Sequence, residues 1–211
     1  MNKNFNTKQL VLLGLLTALV VVLTYFNLPI GPLSISMTVI PVAIAAIALG
    51  PIGGAVIGAV WGVCSFLQCI GILGVSGMGV FTVQISPVLT FLQRFVPRVL
   101  EGYCAGWVFR FVSKATHPKI SCFITGFATA LMNTIFFMSA LVILFGNDQG
   151  FVETYMKGQS AIAYIVGAIS INAILEMVAA TIFAGGVGFA LCQAKFIELP
   201  EKFKKSKSVT A

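Results

Sequence analysis

Four ionisable side chains lie inside long apolar stretches of this sequence: Arg94, Arg98, Glu101 and Glu176. Charge is costly in such surroundings, so each is a functional candidate by default. Arg94, Arg98 and Glu101 are spaced i, i+4 and i+7, which puts them on one face of a helix. Asn172 and Glu176 are spaced i, i+4 on a later helix, and Asn133 falls near the middle of the apolar stretch before it. Two guanidiniums near one pocket favour an anionic ligand, because a guanidinium grips a carboxylate in bidentate fashion. The competing reading is an internal ion pair, Arg94 or Arg98 with Glu101 or Glu176, that only holds helices together. The two are compatible if one arginine is paired and the other faces a ligand.

Weaker candidates surround these. Gln68, Gln84, Ser86 and Gln93 sit at the ends of apolar stretches or in a loop and could line a pocket mouth. Trp61 and Tyr164 could stack on a ligand, although packing or interfacial roles are commoner for such rings. Phe81 and Phe91 read as packing. The lone His117 precedes Pro118 in a basic loop and reads as solvated. Five cysteines (Cys64, Cys69, Cys104, Cys122, Cys192) show no short paired spacing, so they form neither a disulfide framework nor a zinc site and read as small buried residues.

The elements that must carry these residues follow from composition. Of 211 residues 58% are hydrophobic and only 9% charged, against roughly 25% charged in a soluble domain. Too few charges remain to build a solvated shell, so the apolar excess must face lipid. The expected fold is an all-α membrane protein, a compact bundle of six transmembrane helices forming one domain over residues 8–194, with a basic cytoplasmic tail at 195–211. The spans read as Lys8–Phe26, Met37–Leu49, Ile52–Ile70, Pro87–Ser113, Pro118–Phe145 and Ala161–Ala194. A Pro/Gly-rich turn occupies 27–36, and Pro41 interrupts the short second span. A Gly-rich loop with a re-entrant or extended stretch fills 71–86. The run Leu10–Phe26 is longer than a signal-peptide core and lacks a small-x-small cleavage site, so it reads as a retained helix.

Charge position sets the orientation. Lys3 and Lys8, then Arg110, Lys114 and Lys119, then Lys195, Lys202, Lys204, Lys205 and Lys207 all fall on one side if there are six spans and both termini are cytoplasmic. This pattern accounts for the net charge of +7 better than a nucleic-acid-binding face does. At about 1.5 Å per residue, Arg94 and Arg98 lie about 12 and 18 Å below the outer surface, and Asn172 and Glu176 about 16 and 22 Å. Asn133 is at a comparable level. Polar residues of three helices thus share one layer in the outer half and centre of the bilayer.

Small residues recur at helical spacing: Gly14 and Ala18 in the first span, Ala43, Ala45, Ala46 and Ala48 in the second, and Gly54, Gly58 and Gly62 in the third. Such stripes let helices approach closely in lipid; for the glycines the reading is internal packing, for Gly14 and Ala18 internal packing or a partner's helix. The sequence has no nucleotide-binding loop, no H-E-x-x-H and no G-x-S-x-G, and one histidine cannot supply a metal triad. No cofactor, metal or catalytic site is expected. A polar pocket without an engine implies an ion-coupled or passive carrier or channel working alone, a binding subunit energised by other chains, or a scaffold that binds no small molecule.

In its six-span layout and basic termini the chain resembles the substrate-binding (S) components of energy-coupling factor (ECF) transporters, which import vitamins in prokaryotes. The likeness also lies in the turn Ala48-Leu49-Gly50-Pro51-Ile52-Gly53-Gly54-Ala55, in Phe95-Val96-Pro97-Arg98-Val99-Leu100-Glu101-Gly102, and in Asn172-Ala173-Ile174-Leu175-Glu176. The resemblance implies a multi-pass protein of the plasma membrane that binds a vitamin from outside. It also implies a coupling transmembrane subunit and two ATPase subunits as partners, docked through the first helices at small residues such as Gly14 and Ala18. The family's Ala-x-x-x-Ala stands here as Gly-x-x-x-Ala. The Pro-Arg helix with its flanking Ser-Pro resembles the branch assigned to pantothenate; folate fits the two arginines equally well, riboflavin or pyridoxine less.

Overall fold

A computed structural model describes residues 6–26, 28–30, 33–35, 37–157, 159–160, 163 and 171–194. These are helical apart from short connections and one small hairpin. Helix α1 spans Thr7–Tyr25 and starts where the Asn6 amide donates to Gln9 Oε1 (3.0 Å). Only Leu16, Val20 and Thr24 of α1 are buried, a single i, i+4, i+8 stripe, so α1 lies on the outside of the bundle. The expected turn at 27–36 contains two three-residue strands, β1 (Leu28–Ile30) and β2 (Leu33–Ile35), paired antiparallel with Ile30 opposite Leu33.

Helix α2 spans Val39–Cys69 and is broken at Gly50, whose φ of +77° is a left-handed conformation open to glycine. Pro51 follows, with no N–H to continue the helix and a ring suited to starting a new one. The break divides α2 into the two expected segments. Pro41 does not interrupt the first: it sits in the opening turn, where the backbone N–H groups have no intrahelical partner in any case. That segment is the centre of the bundle, with Val42, Ala43, Ala45 and Ala46 fully buried. Its alanines are small because helices pass on several sides.

Residues 77–85 are neither loop nor extended chain. They form helix α3 (Gly77–Ile85), capped by the Ser76 hydroxyl, which accepts from the Gly79 amide (3.3 Å). Helix α4 (Pro87–Ala115) begins at Ser86, whose hydroxyl accepts from the Leu89 amide (3.4 Å), with Pro87 in the first turn. Helix α5 spans Pro118–Phe145 with His117 at its N-cap, and α6 spans Ile171–Gln193. A helical turn (Gln149–Phe151), capped by Asp148, and a π-helical turn (Val152–Met156) follow α5.

Glycines set two close crossings. A Cβ at Gly54 would strike the Gly102 carbonyl of α4, one at Gly58 the Arg98 carbonyl, and one at Gly62 would lie 2.8 Å from the Phe95 Cα. The Gly54/Gly58/Gly62 stripe is thus internal packing, α2 against α4. On the other side, a Cβ at Gly126 of α5 would lie 2.6 Å from the Ala180 carbonyl of α6, and one at Gly185 would meet Phe123. Backbone contact this close needs the missing side chain.

Among the described residues, four helices are long and apolar enough to cross a membrane: Thr7–Tyr25, Val39–Cys69, Lys119–Phe145 and Ala173–Gln193. Helix α4 has the length, 29 residues, but carries Arg94, Arg98, Glu101, Arg110 and Lys114.

Candidate functional site

Helix α4 turns three of its charges into the protein. Arg94 is 7% exposed, Arg98 6% and Glu101 fully buried, and their spacing keeps them on the face toward α2 and α5. Arg98 Nη1 lies 3.8 Å from Glu101 Oε2, an ion pair looser than a hydrogen bond. The Arg98 guanidinium also lies 3.8 Å from the ring centre of Trp61 of α2 and 4.6 Å from that of Phe137 of α5. In a desolvated setting such a cation–ring contact contributes about 2 kcal/mol. Trp61 is 2% exposed and belongs to the apolar core as well.

Across from α4, Asn133 Nδ2 donates to Glu176 Oε1 (3.3 Å), joining α5 to α6. Glu176 is partly exposed and lies within electrostatic reach of Arg98 and Glu101. Arg94, one turn before Arg98 on α4, differs from it. Its guanidinium sits 4.9 Å from the Phe137 ring and beside Cys69, with no carboxylate within ion-pair distance among the described residues. Arg98 is therefore neutralised and Arg94 is not.

Several buried polar atoms here have no hydrogen-bond partner: both amide atoms of Gln93, Nε of Arg94, Nε and Nη1 of Arg98, both Glu101 oxygens and Asn133 Oδ1. Leaving such groups unsatisfied costs about 1–3 kcal/mol each, more for charged ones. All eight belong to five neighbouring residues, the concentration expected of a site that receives a polar solute or water. Buried threonines do not add donors. Thr90, Thr125, Thr129 and Thr134 each direct the hydroxyl proton to a carbonyl four residues back.

Of the residues singled out in the sequence, the fold brings together Arg94, Arg98, Glu101, Asn133 and Glu176. Gln68 is buried elsewhere, donating through Nε2 to the Thr24 carbonyl (2.8 Å) and tying α2 to α1. Gln84 is exposed on α3, and Ser86 caps α4. Asn172 belongs to α6, but its side chain lies outside the described residues, as does Tyr164. Gly14 and Ala18 are exposed on the outer face of α1, and a Cβ at Gly14 would meet nothing within 4 Å. Phe81 packs on Tyr155, and Phe91 on Phe66 and Phe95. His117 is exposed. Among the described residues no disulfide joins two cysteines, and the Cys122 and Cys192 Sγ atoms lie 3.8 Å apart.

Two participants carried little sequence signal. Gln93, next to Arg94 in α4, is fully buried. Phe137 contacts both arginines; its i+4 spacing from Asn133 places it on the same face and was the available clue. An apolar groove of about 400 Å³ runs along α2 at Val56, Ala59, Val60, Val63 and Cys64. It offers no hydrogen-bonding side chain of note and is separate from this cluster.

Charged and amide side chains of α4, α5 and α6 thus gather inside the bundle, with no catalytic constellation among the described residues. The chain is 25% identical over 206 residues to a pantothenic acid transporter, PanT, of Lactococcus lactis subsp. cremoris (strain MG1363), covering 92% of this chain and 98% of that one. The family model for the ECF transporter substrate-specific component matches residues 8–186. This multi-pass membrane protein belongs to the family of ECF transporter substrate-specific components.

Proposed function

We propose that the chain captures a small carboxylate-bearing vitamin, pantothenate before folate, at the Arg94–Arg98–Glu101–Asn133–Glu176 cluster. The observation that carries this is the buried Arg94 guanidinium, which has no carboxylate of its own beside an Arg98 that has one. Arg94 holds the ligand carboxylate. Glu101, Asn133 and Glu176, with Asn172 from the same face of α6, accept from or donate to hydroxyl and amide groups further in. The Trp61 and Phe137 rings confine the aliphatic part. The similarity to a pantothenic acid transporter supports the choice of vitamin.

Transport in this reading is driven by a coupling membrane subunit and two ATPases. The α1 face bearing Gly14 and Ala18, exposed and without a Cβ at its centre, receives the coupling subunit's helix. Six crossings result if both halves of α2 span separately and α4 spans with its charges turned inward. Both termini are then cytoplasmic, as the basic residues require.

Calorimetry of the detergent-purified chain against water-soluble vitamins tests the reading. One-to-one binding of one acid without ATP or sodium supports it. Uptake by this chain alone in proteoliposomes, abolished by collapsing an ion gradient, would replace it with an ion-coupled carrier.

A further inference from the structure

The far end of α4 carries a second cluster that the vitamin site does not use. Tyr103, Trp107 and Phe111 are spaced i, i+4, i+8 on its outer flank, 44%, 39% and 62% exposed. Trp107 stacks on Phe111 with ring centres 5.6 Å apart and meets Tyr103 edge-on at 6.5 Å. Exposed Arg110 and Lys114 occupy the same end, again four residues apart.

Arg110 is held rather than loose. Its guanidinium lies 5.4 Å from the Trp107 ring centre, and Nη2 would lie 3.1 Å from a Cβ at Gly50, so it also rests on the break in α2. Among the described residues no carboxylate pairs with Arg110 or Lys114. Before Asp148 the only acidic residue in the chain is Glu101, which is committed to the vitamin site.

We propose that this end of α4 binds an anionic phospholipid. Arg110 and Lys114 hold the phosphate, and one acyl chain lies along the Tyr103–Trp107–Phe111 flank. Charge and shape both select this occupant. Two cations lie at the membrane-surface end only, and the apolar flank continues straight from them for about 12 Å toward the bilayer centre at 1.5 Å per residue. Basic pockets at the cytoplasmic ends of membrane helices take lipid head groups in this way. In the orientation proposed above, the lipid belongs to the inner leaflet.

The chain has two tryptophans. Trp61 is 2% exposed and Trp107 39%, so lipid-borne quenchers act on Trp107. The protein is reconstituted in nanodiscs containing brominated phosphatidylglycerol or brominated phosphatidylcholine, and tryptophan quenching is measured. We expect phosphatidylglycerol to be preferred at Trp107 on the order of tenfold. The preference disappears in R110Q/K114Q, and the quenchable signal disappears in W107F. Equal quenching by the two lipids, or a preference that survives in R110Q/K114Q, overturns the proposal. A double variant with unchanged lipid preference that no longer co-purifies with a coupling subunit would assign the face to protein instead. Vitamin binding by R110Q/K114Q, measured in parallel, shows that the variant is folded and keeps the outcome independent of the vitamin site.

Discussion

Replacing Arg94 by glutamine removes a charge from the site while keeping a long polar side chain. If Arg94 is the carboxylate grip, its loss must be felt by an acid and hardly at all by the matching alcohol. The guanidinium is 7% exposed, so the contact it would make is desolvated. Removing one partner of a buried, hydrogen-bonded charge pair costs about 2–5 kcal/mol, which is roughly 30-fold to 4,000-fold in Kd at 1.4 kcal/mol per tenfold. With the carboxylate replaced by hydroxymethyl, the contact becomes an ordinary hydrogen bond of about 0.5–1.5 kcal/mol, at most roughly tenfold. Titration calorimetry of wild type and R94Q with pantothenate and its alcohol therefore yields a two-by-two cycle. At the centre of these ranges the acid should lose roughly 60-fold more than the alcohol, and at their narrowest separation about twofold more. Equal losses for both would refute the assignment, because they would mean that Arg94 shapes the site without touching the charge. Binding of the alcohol by R94Q serves as the check that the variant is folded.

Further outcomes follow from neighbouring contacts. R98Q leaves Glu101 buried without its ion pair, a change that costs about 3–5 kcal/mol, so thermal unfolding in detergent should fall sharply and recover in R98Q/E101Q; equal midpoints for the two would show that the 3.8 Å pair is not a stabilising contact. G58A pushes a methyl group into the Arg98 carbonyl and should cost about 1–3 kcal/mol by overpacking, whereas G186A, with open space around it, should leave the midpoint unchanged. G14L and A18L should retain vitamin binding and fail to co-purify with the coupling subunit; normal assembly would remove α1 from the docking face.

Much of this was legible because the bilayer penalises charge so heavily. The i, i+4, i+7 spacing of Arg94, Arg98 and Glu101 already implied one inward face, and the structure buries all three. Gly50-Pro51 already read as a turn. Sequence alone left two things open. The contact of Asn133 with Glu176, and the choice of Glu101 rather than Glu176 as the partner of Arg98, depend on how far α4, α5 and α6 are rotated about their axes, which spacing within each helix does not fix. The helix at Gly77–Ile85 was hidden because Gly71 and Gly74 in the preceding stretch and two more glycines at positions 77 and 79 outweighed its short apolar run. The bond from Gln68 to the Thr24 carbonyl was not legible either, because a buried amide is as useful to a neighbouring helix's carbonyl as to a solute.

The two glycine crossings divide the proposed vitamin site down its middle. One block joins the second segment of α2 to α4 and carries Trp61, Arg94, Arg98 and Glu101; the other joins α5 to α6 and carries Asn133, Phe137 and Glu176. Within each block backbones touch, leaving little room for sliding, and α4 packs along α5 to join the two. In the proposed reading a solute seated there bridges the two blocks, so a load borne by either is felt at its contacts.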